Sequence, residues 1–367
     1  MKIVFITARS LSSIGGIETY MKNLCPRLVA MGHEVILYSE EDKWGKYDYK
    51  GTTIITIPSI KSKFFNKIIA SCIATFHLIF FVRNVDIVHY NAVAAGIFSF
   101  IPRILRYNVV FQGHGFEWQR AKWSCFTRKI IKLADDIVIK INNNITMVSE
   151  EQSEYVRKKN KNCITITPAV TIPANRNFDS SDVFKKYNIV KDNYILFLGR
   201  LVPEKKPDIL IKAFKKIIQQ EMQLVIAGDS QNENNYKKIL FSLSEQQKNI
   251  IFTGAVYGND KEALLKNCKA FCIPSELEGL PITLLEAMSY GKICIASDIP
   301  PNLEALEESG VFFKLNNIQE LTTIFKNIDN IDSRKGKLAK KKINEKFTWD
   351  KIVNQFDLYY KNILKGK

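Results

Sequence analysis

Short apolar, β-branched runs alternate along the chain with longer amphipathic stretches. In the first half the runs fall at residues 3–7, 34–38, 53–57, 86–89, 108–111, 145–148 and 164–167. Brief runs separated by stretches long enough for helices predict an α/β domain with a mostly parallel sheet. The stretch 18–31 shows the local logic: Leu24, Leu28 and Met31 return to one face of a helix, and Gly32 ends it. The loop 8–17 then lies at the carboxyl end of the first strand. Ligands of open α/β sheets sit at that end, which makes Gly15 and Gly16 candidate contact points.

A second series of runs, at 194–198, 222–227, 250–253, 270–273 and 292–296, predicts another doubly wound sheet. Pro168, Pro173 and polar neighbours break the pattern between the two series, and the domain boundary is placed at 172/173. Two cores also suit a chain of 367 residues better than one. The expected organisation is a first Rossmann-like domain over 1–172, a second over 173–346, and a closing helix over 347–367. That last stretch, with Trp349, Phe356, Tyr359 and Tyr360, is too apolar to hang free and is expected to pack back toward the first domain. The opening residues read as a strand with no secretory signal. The most lipid-like stretch, 64–82, is interrupted by Asn66, Lys67 and His77 and falls short of the roughly 20 apolar residues of a spanning helix. It reads as a helix packed on a sheet.

Composition is that of an ordinary folded protein, 46% hydrophobic and 25% charged, but the formal net charge is +16. Residues 1–175 hold 23 Lys and Arg against 13 Asp and Glu, so the first half carries most of the excess. With no helix-turn-helix cue, zinc-finger spacing or Arg/Gly tail, nucleic acid is not the expected partner. An anionic membrane surface carrying a lipid-linked acceptor fits better, and Lys61, Lys63 and Lys67 beside Phe64 and Phe65 form the expected peripheral contact; solvated lysines with the phenylalanines facing the sheet is the other reading. Seven widely spaced cysteines are expected as buried free thiols in a reducing compartment, hence a cytoplasmic protein, at the inner face of the membrane. Four histidines without paired spacing, HExxH or an EF-hand give no reason to expect a metal. The dinucleotide and Walker glycine fingerprints are also missing.

The strongest local constellation is the segment 274–286, a strand end, a loop with Gly279 and Leu280, and a helix opened by Pro281. Backbone N–H groups near Gly279 and Leu280 can face a phosphate that the helix dipole favours. Glu278 and Glu286 frame that anion site and suit sugar hydroxyls better than phosphate. Equally open on the residues alone is a solvated Glu278 and a first-turn Glu286 that stabilises the helix. A second constellation, 199–205, aims Arg200 and Lys205 at one bend, where they fit a diphosphate leaving group; pairing with nearby acids such as Glu204 is the other reading. His114, between two glycines directly after a strand, has the background of a ligand contact, but both it and His89, which ends another strand, are as readily structural hydrogen-bonders.

Together these segments resemble the large retaining glycosyltransferase family 4, or glycosyl transferases group 1, of GT-B fold. Glu278 and Glu286 match its Glu-x7-Glu motif, Arg200 and Lys205 its Gly-Arg-Leu-x-x-x-Lys stretch, Gly15 and Gly16 its glycine-rich loop, and His114 its histidine-bearing loop. The sequences Gly-Gly-Ile-Glu-Thr and His-Gly-Phe-Glu-Trp resemble a subgroup that builds bacterial surface polysaccharides, whereas 167–170 departs from the usual Pro-Asn-Gly-Val. The resemblance implies two Rossmann-like domains facing across a cleft. It implies a nucleotide-sugar donor, preferably a UDP-sugar, held without a metal, and a glycan or lipid-linked saccharide acceptor. It also implies diphosphate binding by Arg200 and Lys205, ribose binding by Glu286, sugar contact by Glu278, and donor positioning by His114. An epimerase of similar build, or a non-catalytic sugar- or membrane-binding protein, are the alternatives.

Overall fold

Successive side chains of a strand point to opposite faces, and the interior strands here are apolar on both. In β1 (Lys2–Ile6), Ile3 and Phe5 enter one core while Val4 and Ile6 enter another. The computed structural model describes residues 1–7, 11, 15–58, 66–173, 180–217, 221–230 and 235–366. It divides into two units, one of Met1–Ala169 with Trp349–Lys367 and one of Val170–Thr348.

The first unit holds an eight-stranded sheet. After β1 come β2 (Glu34–Glu41), β3 (Gly45–Tyr49), β4 (Thr52–Pro58), β5 (Ile87–Asn91), β6 (Val109–Gly113), β7 (Asn144–Met147) and β8 (Ile164–Thr165). Their spatial order is β3-β4-β2-β1-β5-β6-β7-β8, parallel except for β3 against β4. The strand β3 escapes the sequence pattern because GKYDY is a polar, exposed edge hairpin arm with no apolar alternation. The helix Gly16–Ala30 covers one face, and the helices Asn66–Phe81 and Cys125–Ile141 cover the other.

The second unit is a six-stranded, wholly parallel sheet. It is built from β9 (Tyr194–Leu198), β10 (Gln223–Ala227), β11 (Ile250–Gly254), β12 (Ala270–Ile273), β13 (Ile293–Ser297) and β14 (Val311–Phe313), in the order β11-β10-β9-β12-β13-β14. Tyr194, Leu196 and Leu198 face one core and Ile195 and Phe197 the other. The sequence reading drew the boundary at 172/173, on the proline; the units part at 169/170 and again at 348/349. Val170 is the reason. It is buried in the second unit's core and bridges Thr348, its N–H donating to Phe347 O at 3.0 Å.

The last helix, Trp349–Lys365, packs on the helix Gly16–Ala30 within the first unit. Phe356 and Tyr360 are fully buried, Arg27 stacks on Trp349, and His33 Nε2 lies 3.0 Å from Asp357 Oδ1. Five cysteines are buried, but Cys125 is exposed and Cys72 half-buried, which corrects the expectation for those two. Among the described residues no helix is long and apolar enough to cross a membrane.

His89, inside β5 rather than at a site, lies 2.6 Å from the Tyr360 hydroxyl and is fully buried. Burial, with the His114 ring as a second contribution, pushes its imidazole down to about 3. The unfolded histidine titrates near 6.5. The unfolded state therefore takes up a proton that the folded state refuses, and the stability present above pH 6.5 is lost as pH falls toward 3. Urea unfolding of the wild type and of His89→Gln is expected to show their stability difference shrinking by about 2 kcal/mol between pH 7.5 and 5. A difference that stays constant with pH contradicts this.

Candidate functional site

In each sheet one strand has neighbours reached by crossovers running in opposite directions: β1 between β2 and β5, and β9 between β10 and β12. A crevice opens at the carboxyl ends there. The motifs singled out in the sequence follow such a strand or its neighbour, except that of His114, which follows β6, one strand further out.

In the second unit, β9 runs into Gly199 and the exposed Arg200. The neighbouring strand end is pressed close: a Cβ on Gly228, at φ +150°, would sit 1.8 Å from Gly199 O. Gly199 N–H donates to Ala227 O at 3.0 Å and Leu201 N–H to Asp229 O at 3.2 Å, which fixes the backbone from which Arg200 projects. The chain then makes a 3-10 turn, Pro203–Lys205, and Lys206 takes a left-handed conformation before the helix Pro207–Phe214.

That turn is stitched to the loop after β12. Lys205 donates to Glu278, Lys206 lies 2.9 Å from Glu276, and Glu276 N–H donates to Glu204 O at 2.9 Å. Glu278 is thus neither a solvated loop residue nor remote from the cations; its side chain is 7% exposed. Lys205 pairs with Glu278 and not with Glu204. The helix after this loop is Ile282–Ser289, with Pro281 as its N-cap rather than its first residue. Glu286 is the fifth residue of this helix and lies beyond its first turn, which removes the reading of it as a first-turn charge. It instead meets Lys261, 2.7 Å away on the helix Gly258–Asn267. Leu280 is buried in the core, so of the loop pair only Gly279 is part-exposed.

In the first unit, Gly15 caps the helix Gly16–Ala30 in an extended conformation and Gly16 is its first residue. Of the loop 8–17, residues 8–10 and 12–14 lie outside the described residues. His114 follows β6, and Gly115 takes φ +134°, a backbone that favours glycine. His114 Nε2 lies 2.8 Å from Asn91 Oδ1 at the end of β5, and its ring meets Tyr20 edge-on at 5.7 Å. Gln112 and Asn91 are fully buried, with Gln112 Oε1 and Asn91 Nδ2 lacking a hydrogen-bond partner. Burial pushes the Tyr20 phenol up. The sequence reading named His114 but missed Asn91, Gln112 and Tyr20, as it missed Lys261, Lys206 and Glu276 in the second unit. The presumed membrane contacts Lys61, Lys63, Phe64 and Phe65 lie outside the described residues.

Residues 14–170 match the family model Glycosyltransferase Family 4 and residues 179–343 match Glycosyl transferases group 1. The chain belongs to this family of glycosyltransferases. It is 29% identical over 299 residues to a UDP-Gal:alpha-D-GlcNAc-diphosphoundecaprenol alpha-1,3-galactosyltransferase of Escherichia coli, covering 75% of each chain. It is 30% identical over 179 residues to an uncharacterised glycosyltransferase of Methanocaldococcus jannaschii, 46% of this chain and 45% of the relative, and so spans about half of that protein. Sucrose-phosphate synthase from Thermosynechococcus elongatus superposes with a TM-score of 0.82 at 17% identity, over 100% of this chain and 99% of that one. The fold is GT-B, with two Rossmann-like α/β domains.

The ion pair at the centre of the second unit's site has a measurable signature. Lys205 and Glu278 are 18% and 7% exposed, between the weak surface pairs and the fully buried ones. Lys205→Met leaves a carboxylate sequestered without its cation and is expected to cost about 2 kcal/mol in urea unfolding. Adding Glu278→Gln is expected to restore most of that loss. A double variant as unstable as the single one would show that the pair is not what holds the loops together.

Proposed function

We propose that the protein transfers a sugar from a nucleotide-sugar, with UDP-sugars preferred, to a lipid-linked saccharide in surface polysaccharide assembly at the cytoplasmic face of the membrane. The observation that carries the reading is the cation-rich turn of Arg200 and Lys205 joined to the Glu278 loop at the second sheet's switch point. The Escherichia coli relative, whose name gives a UDP-sugar and a diphosphoundecaprenol acceptor, supports the choice of donor and acceptor.

In this reading Arg200, Lys205 and the helix N-terminus after Gly279 hold the donor diphosphate. Lys205 exchanges its carboxylate partner for phosphate, which releases Glu278 to accept from sugar hydroxyls. Glu286 takes the ribose hydroxyls, its carboxylate oriented by Lys261. His114, braced by Asn91, positions the donor sugar, and Gly15 and Gly16 leave room for it. The bond from the anomeric carbon to the diphosphate oxygen breaks as the acceptor oxygen bonds the same carbon on the same face. The departing phosphate accepts the acceptor's proton, and configuration is retained. The two cations stabilise the negative charge that develops on the leaving group, and no divalent ion is required.

A thermal-shift screen against UDP-, GDP- and dTDP-sugars is expected to show selective stabilisation by a UDP-sugar, as ligands that bind only the folded state must stabilise it. Stabilisation by none of the panel contradicts the reading.

With donor and acceptor identified, Arg200→Ala and Lys205→Ala are each expected to lower kcat/KM on the order of 10²-fold, because each removes a charge aimed at the leaving group. Values within about threefold of wild type for both would remove the clamp assignment. Turnover is expected to survive EDTA. Complete loss, restored by Mg²⁺ or Mn²⁺, would show that an ion carries the diphosphate.

A further inference from the structure

The helix Cys125–Ile141 is apolar on two opposite sides. Its inner side is ordinary: Val138 and Ile139 are fully buried against the first sheet. Its outer side is not. Phe126, Ile130, Leu133 and Ile137 are 73%, 51%, 61% and 49% exposed, at spacings of four, three and four. At 3.6 residues per turn they share one narrow stripe, where a surface helix ordinarily carries polar side chains.

The charges beside that stripe are of one sign. Lys129 and Lys140 are exposed along its edge, and Lys132, further round the helix and over the Trp118 ring, is exposed as well. Its two acids do not oppose them: Asp135 is buried, and Asp136 is bound by Lys159 and the Tyr155 hydroxyl.

The neighbouring elements repeat the design. The 3-10 turn Ile97–Ser99 touches both the helix Cys125–Ile141 and the helix Asn66–Phe81, and it leads into the short helix Phe100–Ile104. There Phe100 and Ile104 are 43% and 74% exposed beside an exposed Arg103. The helix Asn66–Phe81 buries small residues, among them Ala70, Ser71 and Ala74, and turns Phe76, Phe80 and Phe81 outward. Phe76 and Phe80 stack with centroids 6.5 Å apart.

We propose that this face of the first unit docks into the headgroup layer of an anionic phospholipid bilayer. Rings and aliphatic side chains enter the interface while flanking lysines and Arg103 meet headgroup phosphates. The single sign of the flanking charge selects this occupant, since the rim of a protein interface would be matched to a partner of mixed charge. The proposal deepens the reading of a lipid-linked acceptor and rests on it for its purpose, but it is tested without it.

The full chain is sedimented with vesicles of phosphatidylcholine alone and with about 30 mol% phosphatidylglycerol. Binding is expected to need the anionic lipid and to weaken between roughly 50 and 300 mM salt. Ile130→Ser with Leu133→Ser, and separately Lys129→Gln, Lys132→Gln and Lys140→Gln together, are expected to lower partitioning at least about tenfold. Lys337→Gln with Lys340→Gln, exposed positions on the second unit, is expected to leave it unchanged. Circular dichroism and donor-induced thermal shift report folding and the donor site independently of lipid. Pelleting equal with zwitterionic vesicles, or unchanged in both variants of the helix while they remain folded, overturns the proposal. So does a wild-type dimer in light scattering that Ile130→Ser with Leu133→Ser converts to monomer, which would make the face a self-association surface. Loss of vesicle binding with donor-induced stabilisation intact leaves the reading of a glycosyltransferase standing; the reverse result separates the two in the other direction.

Discussion

Parallel strand pairing is the constraint from which the rest follows. A parallel sheet forces each strand to be followed by a crossover, puts all carboxyl ends on one edge, and buries both faces. Where crossovers leave in opposite directions, the loops on that edge diverge and leave polar backbone and side chains to be satisfied by something other than the sheet. In the second unit this happens between β9 and β12, and the loops that diverge there carry Arg200, Lys205, Glu276 and Glu278. In the first unit it happens between β1 and β5, where Gly15 and Asn91 stand.

The second unit's loops do not wait open. Two ion pairs and a backbone hydrogen bond join them, and one carboxylate of the motif, Glu278, is nearly fully covered. A cation held against a carboxylate in this way is already desolvated and aimed. In the proposed function an arriving diphosphate has to compete with one carboxylate for it instead of with bulk water, and the charge is positioned before the proposed reaction needs it. Gly228 supplies the support beneath: only a residue without Cβ lets the ends of β9 and β10 come together at Gly199, and Arg200 is the next residue out. The same economy applies at Glu286, whose partner Lys261 fixes the carboxylate that the motif leaves unspecified.

The sequence made legible what depends on neighbours in the chain. The interior strands announce themselves within a residue or two because they are apolar on both faces, as β9 and β12 show, whereas the polar edge β3 and the three-residue β14 carry no such signal. Spacing and glycines likewise marked Glu278, Glu286, Arg200 and His114. What spacing could not mark was which side chains pair, because tertiary contacts bring them from afar: Lys205 meets Glu278 from 73 positions away, Asn91 reaches His114 from 23, and His33 finds Asp357 from 324. Pro281 misled by one residue, since the helix begins at Ile282, and Glu286 stands beyond the first turn with either start.

The basic excess illustrates the same limit from the outside of the protein. Charge counting directs attention to the first half of the chain, and three lysines beside two phenylalanines at 61–67 stand out in the sequence. Phe126, Ile130, Leu133 and Ile137 do not stand out, because their spacing is that of any core-facing stripe, and a sequence with apolar residues on two sides of a helix does not say which side meets the sheet. Packing decides it. Val138 and Ile139 take the sheet, and the small inward residues of Asn66–Phe81 let that helix sit down without its phenylalanines. The surplus apolar surface is therefore left outside by the packing of the core itself, and the lysines beside it determine what kind of surface it can meet.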